Sequence, residues 1–397
     1  MSESPETTPA QAPGTAPGGA PAPRSTAPSA ADGDPPRARA TFDAGQAVEL
    51  AVVERSGFIE SRHLGSAVVV DPSGAPVVEL GAPGEPVFTR SCLKPLQAIA
   101  CMELGAPLSG DAAVLASASH RAEAEHVEVV ERMLASVHVG ERDLQCPSVQ
   151  PADPDNLVAV RSGGRATSPL YFNCSGKHAA FLMAQKLAGE PTGDYLDPES
   201  AIQRRVGQVI KHYCGERSAA VGVDGCGAPV HALSLTGLAR GIGAVAAGST
   251  PEARTLMDAI QRSPWAIEGH GQPNTLAIEE LGVLAKSGAE GVCVIATPTG
   301  WAVAVKCLDG SSRPTMFTAL ELLVAVGALD AADVLPILDD VTPPVTGGTR
   351  ADGSTAIVGT LVAGEAVVAA LREWAGRRAA DAAGSGEPGS GQEGERS

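Results

Sequence analysis

The sequence predicts an α+β fold built around an antiparallel sheet. Valine-rich, strand-like runs lie toward both ends of its central region, and segments with helical spacing lie between them. The chain has 397 residues, enough for one large domain or two ordinary ones, and its 44% of hydrophobic residues can form a sizeable core.

The two ends of the chain differ from this central region. Residues 1–45 consist mainly of Pro, Ala, Gly, Ser and Thr, and residues 376–397 have a similar composition. Segments with so few large apolar side chains cannot offset the entropy of ordering by burial, so both are predicted to be disordered. The folded region is therefore expected to span residues 46–375.

The strands are predicted from valine-rich runs and turn residues. Residues 47–57 and 66–80 are the first such runs, and the turn sequence at 71–74 divides the second one into a hairpin. Residues 292–309 form two apolar runs around Pro-Thr-Gly at 298–300, which indicates a second, buried hairpin.

The helices are predicted from apolar residues that recur at helical spacing. The clearest is at 198–214, where Asp197 or Ser200 could cap the helix. The helix at 315–329 is expected to pack on the second hairpin. The other segments with this spacing are 92–104 and 111–136.

Charge and cysteine content limit the partners and the compartment. A formal net charge of −17 argues against binding to nucleic acid or to an anionic membrane, since both need a basic surface. No stretch reaches the roughly 18 uninterrupted apolar residues of a membrane span, and the N-terminus lacks the features of a secretory signal. The eight cysteines are scattered, which is typical of a reducing compartment. We therefore expect a cytoplasmic protein.

Ser91 and Lys94 form a Ser-x-x-Lys motif followed by Pro95. Residues three apart share one face of a helix, so the hydroxyl and the amine could approach each other. A lysine whose pKa is lowered by burial and by nearby cations can remove the serine proton. Pro95 is tolerated only near the first helical turn, which places Ser91 at a helix start. The alternative is a capping serine followed by a solvated lysine.

Two later segments could supply a second serine–lysine pair. Ser117 and Ser119 lie in one of them, and the other is the Lys-Ser-Gly triplet at 286–288. The order Ser-x-x-Lys, second serine, Lys-[Ser/Thr]-Gly is that of the penicillin-recognising serine enzymes. In this interpretation Lys286 flanks a cleft, and in the alternative the triplet is a surface turn.

Two further segments carry thiols. Cys174, Lys177 and His178 lie within about one turn of each other, and Asp224 and Cys226 lie in a glycine-rich loop. Cysteines from two loops can bind zinc, although a lysine ligates a metal only as the neutral amine. From spacing alone, buried structural thiols are preferred to metal ligands.

Four histidines lie in or beside polar segments. Each is interpreted as a hydrogen-bonded or surface histidine rather than as a catalytic one. They are His120, His126, His178 and His270.

Taken together, these segments resemble the asparaginase II family, the serine–lysine type found in rhizobia and actinobacteria. The resemblance covers nearly the whole predicted ordered region, and its most specific segments are NCSGKHA and DGCGAP. It is carried by VELAVVERSGFIESRH, FTRSCLKPLQA, LASASH, NCSGKHAA, VDGCGAPV, LARGIGAVA and KSGAEGV. It implies the fold of the β-lactamase and serine-dependent glutaminase group, which agrees with the α+β prediction.

The resemblance also implies an activity and a set of site residues. The activity is hydrolysis of L-asparagine to L-aspartate and ammonia through a serine acyl-enzyme, without an organic cofactor, in a homodimer whose substrate is a small-molecule amide. The implied catalytic residues are Ser91, Lys94, Ser119 and Lys286. The implied substrate-binding residues are Arg90, His120, Asp224, Gly269 and His270. The implied metal ligands, usually of zinc, are Cys174, Lys177 and Cys226.

Two segments depart from the family pattern. Residues 121–122 are Arg and Ala where Ser and Gly are usual, and residues 268–275 lack the usual Thr, Arg and Asp. The residues that stand in their place are His270, Gln272 and Asn274. Losing an arginine and an aspartate would alter recognition of a charged α-amino acid. Two alternatives therefore remain: a hydrolase of the same fold for another amide, such as glutamine or a β-lactam, and a catalytically silent ligand-binding protein.

Overall fold

A computed structural model describes residues 40–164 and 167–384 of the chain. Most of the predicted N-terminal segment therefore lies outside the described residues, but Phe42 already packs in the core. The ordered region thus begins before the predicted boundary at residue 46. At the other end, the last helix continues to Gly384, and residues 385–397 lie outside the described residues.

Two antiparallel sheets organise the described residues. Their strands are β1 (Val48–Arg55), β2 (Phe58–Val70), β3 (Pro76–Leu80), β4 (Val87–Phe88), β5 (Ala220–Val223), β6 (Pro229–Leu233), β7 (Leu284–Gly288), β8 (Val292–Ala296), β9 (Ala302–Cys307), β10 (Val345–Thr349) and β11 (Thr355–Ala363). The larger sheet has the order β10-β11-β1-β2-β9-β8-β7, with β3 paired to β2. The smaller sheet has the order β4-β6-β5.

Helices fill the middle of the chain and return at its C-terminal end. They are α1 (Lys94–Glu103), α2 (Gly110–Ser117), α3 (Ala124–Ser136), α4 (Pro154–Ser162), α5 (Ser175–Leu187), α6 (Ala201–Cys214), α7 (Leu235–Ala246), α8 (Pro251–Arg262), α9 (Pro273–Leu281), α10 (Thr315–Ala325), α11 (Ala331–Val341) and α12 (Glu365–Gly384). The predicted α+β class with an antiparallel sheet is confirmed. None of the helices in the described part of the chain is long and apolar enough to cross a membrane.

Both predicted hairpins are present. Between β2 and β3, the Asp71 carboxylate accepts hydrogen bonds from the backbone of Ser73 and Ala75, and Gly74 has a φ of +80°. β8 and β9 pair directly and are buried along their whole length. Such continuous apolar strands need cover on both faces of the sheet, and α7 and α10 both pack against β8 and β9.

Local sequence signals fix the ends of the helices next to the site. A short 3₁₀ segment, Arg90–Leu93, leads directly into α1, and Pro95 lies in the first turn of α1 as predicted. Ser200 caps α6 by accepting a hydrogen bond from the Gln203 backbone. The 3₁₀ segment packs against β7 at the edge of the larger sheet, which brings the Ser-x-x-Lys motif beside the Lys-Ser-Gly triplet.

Candidate active site

Ser119 lies between two buried lysines. Lys94 Nζ is 2.9 Å from Ser119 Oγ, and Lys286 Nζ is 3.0 Å from the same oxygen. Lys94 also donates to the Ala118 carbonyl, and Lys286 donates to the Ser287 carbonyl. The chain thus brings together three of the four predicted catalytic residues through direct hydrogen bonds.

Both lysines are inaccessible to solvent. Lys94 is 1% exposed and Lys286 is 0% exposed. Burial, and secondly the charge of Lys94, lowers the pKa of Lys286 to about 8. These environments are incompatible with a solvated lysine after Ser91 and with a surface turn at residues 286–288, so both of those alternatives are wrong. A pKa lowered to about 8 makes the neutral amine of Lys286, which can accept a proton, accessible at slightly alkaline pH.

Ser91 is half-buried and lies in the first turn of the 3₁₀ segment. Arg90, immediately before it, has a φ of +48°, an uncommon conformation for a residue with a side chain. Gly288 of β7 faces this turn so closely that an added Cβ would lie 3.2 Å from the Ser91 backbone nitrogen. Cys92 donates to the Lys286 carbonyl. Ser91 is therefore held against the strand that carries Lys286, with its backbone N–H at a helical start.

The predicted Ser91–Lys94 pair differs from the contacts observed. The Lys94 ammonium group donates to Ala118 and Ser119, and the hydrogen bond between the two predicted partners runs from the Lys94 backbone N–H to the Ser91 carbonyl oxygen rather than between their side chains. Spacing of three residues places Ser91 and Lys94 on one face, but the long lysine side chain extends toward the end of α2 instead. Ser119 is consequently the serine in direct contact with both lysines.

A polar network supports Lys286 from the side of residues 268–275. The Asn274 side-chain oxygen accepts hydrogen bonds from the Ser287 backbone and hydroxyl, at 2.9 and 3.0 Å. Glu268 accepts from the Asn274 backbone and side-chain nitrogens, at 3.0 and 2.8 Å. The Glu268 charge favours the protonated form of Lys286 and so opposes part of the effect of burial. Glu268, Asn274 and Ser287 are site residues that were not predicted from the sequence.

Cys174, Lys177 and Cys226 form a second buried cluster beside the first. Lys177 Nζ lies 3.2 Å from Cys226 Sγ. A hydrogen bond with Cys226, helped by the charges of Lys94 and Lys177, lowers the pKa of the Cys174 thiol well below its usual value, although burial opposes this. Burial likewise opposes a charge on Lys177, but the Cys174 thiolate raises the pKa of Lys177 overall.

The donor types in this cluster fit a zinc ion. Two sulfur atoms and one amine nitrogen are buried and in contact, and zinc prefers nitrogen and sulfur ligands. Binding would have to displace the proton of Lys177, since only a neutral amine is a ligand. The hydrogen bond of Cys174 with Cys226 and its electrostatic coupling to Lys94 make this cluster continuous with the serine–lysine cluster.

Arg90 and Asp224 form an ion pair between the two clusters. Arg90 Nε donates to Asp224 Oδ1 at 2.8 Å, and Asp224 Oδ2 lies 3.8 Å from Cys226 Sγ. Burial opposes ionisation of Asp224, but the charges of Lys177 and Arg90 lower its pKa. This pair brings together two of the predicted substrate-binding residues and fixes the strained Arg90 before Ser91.

The other three predicted substrate-binding residues have different environments. His120 is buried and contacts Ser175 Oγ at 2.9 Å, while its Nδ1 accepts from the Ala122 backbone. Gly269 is also buried, with a φ of +144° that favours glycine. His270 has a side chain that is 62% exposed and contacts Glu123 at 2.7 Å. Of these three, only His270 presents its side chain to solvent.

Comparison with protein families gives one clear match. A family model described as L-asparaginase II matches residues 51–356, which include both serine–lysine pairs and the cysteine cluster. The resemblance predicted from the sequence is confirmed by this match, which supports an amidohydrolase without specifying its substrate. No curated protein matches the sequence at a significant level.

Solved structures give distant matches. Structures described as Mglu in its native form and in its glutamate form are both 14% identical to the chain, with TM-scores of 0.37 and 0.36. They cover 67% and 65% of this chain, which spans 65% and 60% of theirs. A β-lactamase from Mycobacterium bovis is 14% identical, with a TM-score of 0.31, covering 70% of this chain and 95% of its own. Similarities this distant do not transfer residue roles.

Proposed function

Because the chain belongs to the L-asparaginase II family, we propose that it hydrolyses L-asparagine to L-aspartate and ammonia through a serine acyl-enzyme. The observation that carries this proposal is the Ser119 hydroxyl held between Lys94 and Lys286, beside Ser91 at a helical start. A hydroxyl in contact with two buried amines is arranged for proton transfer rather than for packing.

In the first half-reaction, Ser91 Oγ attacks the carbon of the side-chain amide. Its proton passes to Lys94, which has first given its own proton to the neutral amine of Lys286 through Ser119, and the carbonyl oxygen becomes an oxyanion. The Ser91 backbone N–H, which lies in the first helical turn, supports this charge. Ser119 can pass a proton between Lys94 and Lys286, because its oxygen contacts both. The intermediate then expels the amide nitrogen, which takes up the transferred proton and leaves as ammonia.

In the second half-reaction, water attacks the acyl ester on Ser91. Its proton passes to the same lysine pair, and the ester bond breaks to release L-aspartate. The proton returns to Ser91 Oγ, so the lysines and both serines regain their starting states. Each lysine must therefore change protonation during the cycle, which is feasible for Lys286 because its pKa is lowered by burial to about 8.

We also propose that Cys174, Lys177 and Cys226 bind zinc. The support is the contact between their donor atoms and the thiolate character of Cys174. Bound zinc would supply positive charge that orders the loop carrying Asp224. A serine nucleophile makes a metal-activated water unnecessary, so the metal is assigned a role in substrate binding and structure.

An amide other than asparagine is the second candidate substrate. In residues 268–275 the polar groups of Asn274 are engaged by Ser287 and Glu268, and His270 is engaged by Glu123. Groups that are already paired contribute less to binding an α-amino acid. Glutamine and β-lactams therefore belong in the substrate panel.

The test is ammonia release, or β-lactam ring opening, from purified protein with L-asparagine, L-glutamine and several β-lactams. Ser91→Ala is expected to abolish turnover, and the acyl group trapped on the wild-type protein is expected to map to the peptide containing Ser91. Wild-type turnover in Ser91→Ala would contradict the assignment of the nucleophile. Folded wild-type protein that binds these compounds without converting any of them would favour the silent binding protein.

The assembly proposed is a homodimer. Phe88, Val221 and Val223 of the smaller sheet are exposed apolar side chains next to Arg90 and Asp224, and such surfaces favour protein contacts. Light scattering after size exclusion should give the mass of two chains, and Val223→Glu should shift it toward one. The cytoplasm remains the proposed compartment, supported by eight cysteines that are all free.

A further inference from the structure

A third cluster of metal-ligand side chains lies outside both clusters described above. His63 of β2, Cys307 at the end of β9, and Asp309 just after it each offer one ligand atom, and these atoms all lie within 4.8 Å of one another. The Cys307 thiol donates to Asp309 Oδ1 at 3.1 Å. Ligand atoms bond to a zinc ion at about 2.0–2.3 Å, so two ligand atoms of one ion are at most about 4.6 Å apart, and this cluster needs only a small contraction to hold one.

His63 is the unusual member of this cluster. Its residue is 7% exposed, and neither ring nitrogen has a hydrogen-bond partner among the described residues. A neutral imidazole has one N–H donor and one acceptor nitrogen. Leaving both nitrogens without a hydrogen-bond partner in a buried place is costly. The ring therefore has an unmet requirement for a polar partner.

The backbone holds these residues in a fixed arrangement. β2 and β9 pair directly, with Gly65 opposite Cys307, and the Leu308 backbone donates to the Leu64 carbonyl. The Asp309 carboxylate accepts from the Ser311 backbone at 2.8 Å, which orders the turn. Two of the ligands thus come from neighbouring strands of the central sheet, and a rigid framework of this kind suits a metal site.

We propose that His63, Cys307 and Asp309 bind a divalent transition metal ion, with zinc as the best chemical match. The imidazole, thiolate and carboxylate provide the nitrogen, sulfur and oxygen donors that zinc accepts, and two anionic ligands neutralise its charge. On binding, the proton that Cys307 shares with Asp309 is released to solvent and replaced by the metal. Three protein ligands leave a fourth position open on the side of the exposed Asp309.

The site is coupled to the candidate active site through one turn. The backbone of Cys307 donates to the Gly291 carbonyl, and an added Cβ on Gly291 would lie 2.6 Å from the Ser311 carbonyl oxygen. Glu290, in the same turn, lies 4.0 Å from Arg90. Metal binding at Cys307 would therefore order the turn that follows Gly288, although the binding itself does not depend on the proposed amidohydrolase reaction.

The experiment is a cobalt titration of metal-free protein in a Cys226→Ala background, which removes the cysteine cluster proposed above. Cobalt bound to a thiolate gives a near-ultraviolet charge-transfer band, and one equivalent is expected per chain. Adding Cys307→Ala should abolish the band. Adding Asp309→Asn, an exposed and nearly isosteric change, should weaken binding about tenfold or more. Adding Cys214→Ala, a buried cysteine outside all clusters, should change nothing.

Two results would overturn the proposal. One is the absence of cobalt binding in the Cys226→Ala protein, and the other is an unchanged band in Cys226→Ala/Cys307→Ala protein that circular dichroism shows to be folded. If Cys307→Ala does not fold, unaltered affinity in the Asp309→Asn protein decides against the site. Amidase activity is measured separately, so a loss of activity without a loss of cobalt binding leaves this proposal intact.

Discussion

Lys94 and Lys286 direct their ammonium groups at one hydroxyl, with Nζ atoms 2.9 and 3.0 Å from Ser119 Oγ. Two buried cations so close together repel each other, and part of this strain is relieved when one loses its proton. The lowered pKa of Lys286 is the consequence, because burial and the charge of Lys94 act in the same direction. The shared hydroxyl then connects a neutral amine to a second amine, which is a path for a proton.

Replacing Ser119 should remove that path. We expect Ser119→Ala to lower kcat by about 10²–10⁴-fold, the usual contribution of a positioned acid–base group, while the protein stays folded. The measurement is steady-state ammonia release at saturating substrate, together with intact-mass detection of the acyl-enzyme on Ser91.

Ser117→Ala is the matched control. Ser117 is two residues away and buried, but its hydroxyl donates to the Val114 carbonyl and contacts neither lysine. It should keep wild-type kcat. Equal losses in Ser117→Ala and Ser119→Ala would indicate a packing defect at the end of α2 instead of a proton path.

The protonation of Lys286 should govern the pH dependence of the reaction. If its neutral amine is the active form, kcat/KM rises with pH and levels off above an apparent pKa near 8, the value to which burial lowers the pKa of Lys286.

A buried lysine whose pKa is lowered also makes the protein less stable below that pKa, so the free energy of unfolding should rise with pH above about 8. Rate profiles and denaturant titrations across this range measure both effects.

Glu268→Gln tests whether deprotonation of Lys286 causes the rise of kcat/KM with pH. The Glu268 charge favours the protonated form of Lys286. Removing this charge should therefore lower the pKa of Lys286 further, so that kcat/KM rises at lower pH than in the wild-type protein. Glutamine keeps an oxygen to accept from Asn274, which limits structural change. If kcat/KM rises at the same pH as in the wild-type protein, or at higher pH, a different group controls the rate.

Local signals in the sequence predicted the parts of the fold that depend on neighbouring residues. The turn after Asp71, the position of Pro95 in α1 and the Ser200 cap each follow from side-chain chemistry within a few residues. The pairing of β1 with β11, where Ala51 lies opposite Ala363, joins distant parts of the chain and has no local signal.

The candidate active site shows the same contrast between local signals and contacts that join distant parts of the chain. Residue types and their order along the chain indicated Lys286 and left Ser117 and Ser119 both open, and only the family resemblance implied Ser119. The contact of Lys94 with Ser119 was not predicted. That depends on how far the Lys94 side chain extends across the end of α2. Asn274 was noted only as a departure from a pattern, since its role depends on Ser287 of β7 approaching it. The contact of His120 with Ser175 likewise joins residues far apart in the sequence and has no local signal.

The close approach of Gly288 to Ser91 predicts a further effect. An alanine Cβ at 288 would lie 3.2 Å from the Ser91 nitrogen and 3.3 Å from Cys92 Sγ, so the 3₁₀ segment must shift. We expect Gly288→Ala to lower kcat at least tenfold with little change in secondary structure, since small displacements of a nucleophile are costly. Kinetics and circular dichroism measure the two effects.

Gly207→Ala is the control for the glycine substitution. Gly207 lies within α6, and an added Cβ there has no atom within 4 Å. Alanine at a helical position should stabilise the protein by about 0.5–1 kcal/mol and leave kcat unchanged. If Gly288→Ala keeps wild-type kcat, the contact between β7 and the Ser91 turn does not position the nucleophile.

Metal content should distinguish the cysteine cluster from the site on β2 and β9. In a Cys307→Ala background, zinc bound per chain should fall by one equivalent on adding Cys226→Ala, because Cys226 contacts both other proposed ligands. Thermal unfolding should occur at lower temperature, since a ligand present at 1,000 times its Kd stabilises the folded state by about 4 kcal/mol. Adding Cys101→Ala instead, a buried thiol outside the cluster, should leave the zinc content unchanged. Equal zinc content in the Cys307→Ala and Cys307→Ala/Cys226→Ala proteins would contradict zinc binding at the cysteine cluster. In that case Lys177 alone compensates the negative charge of the Cys174 thiolate.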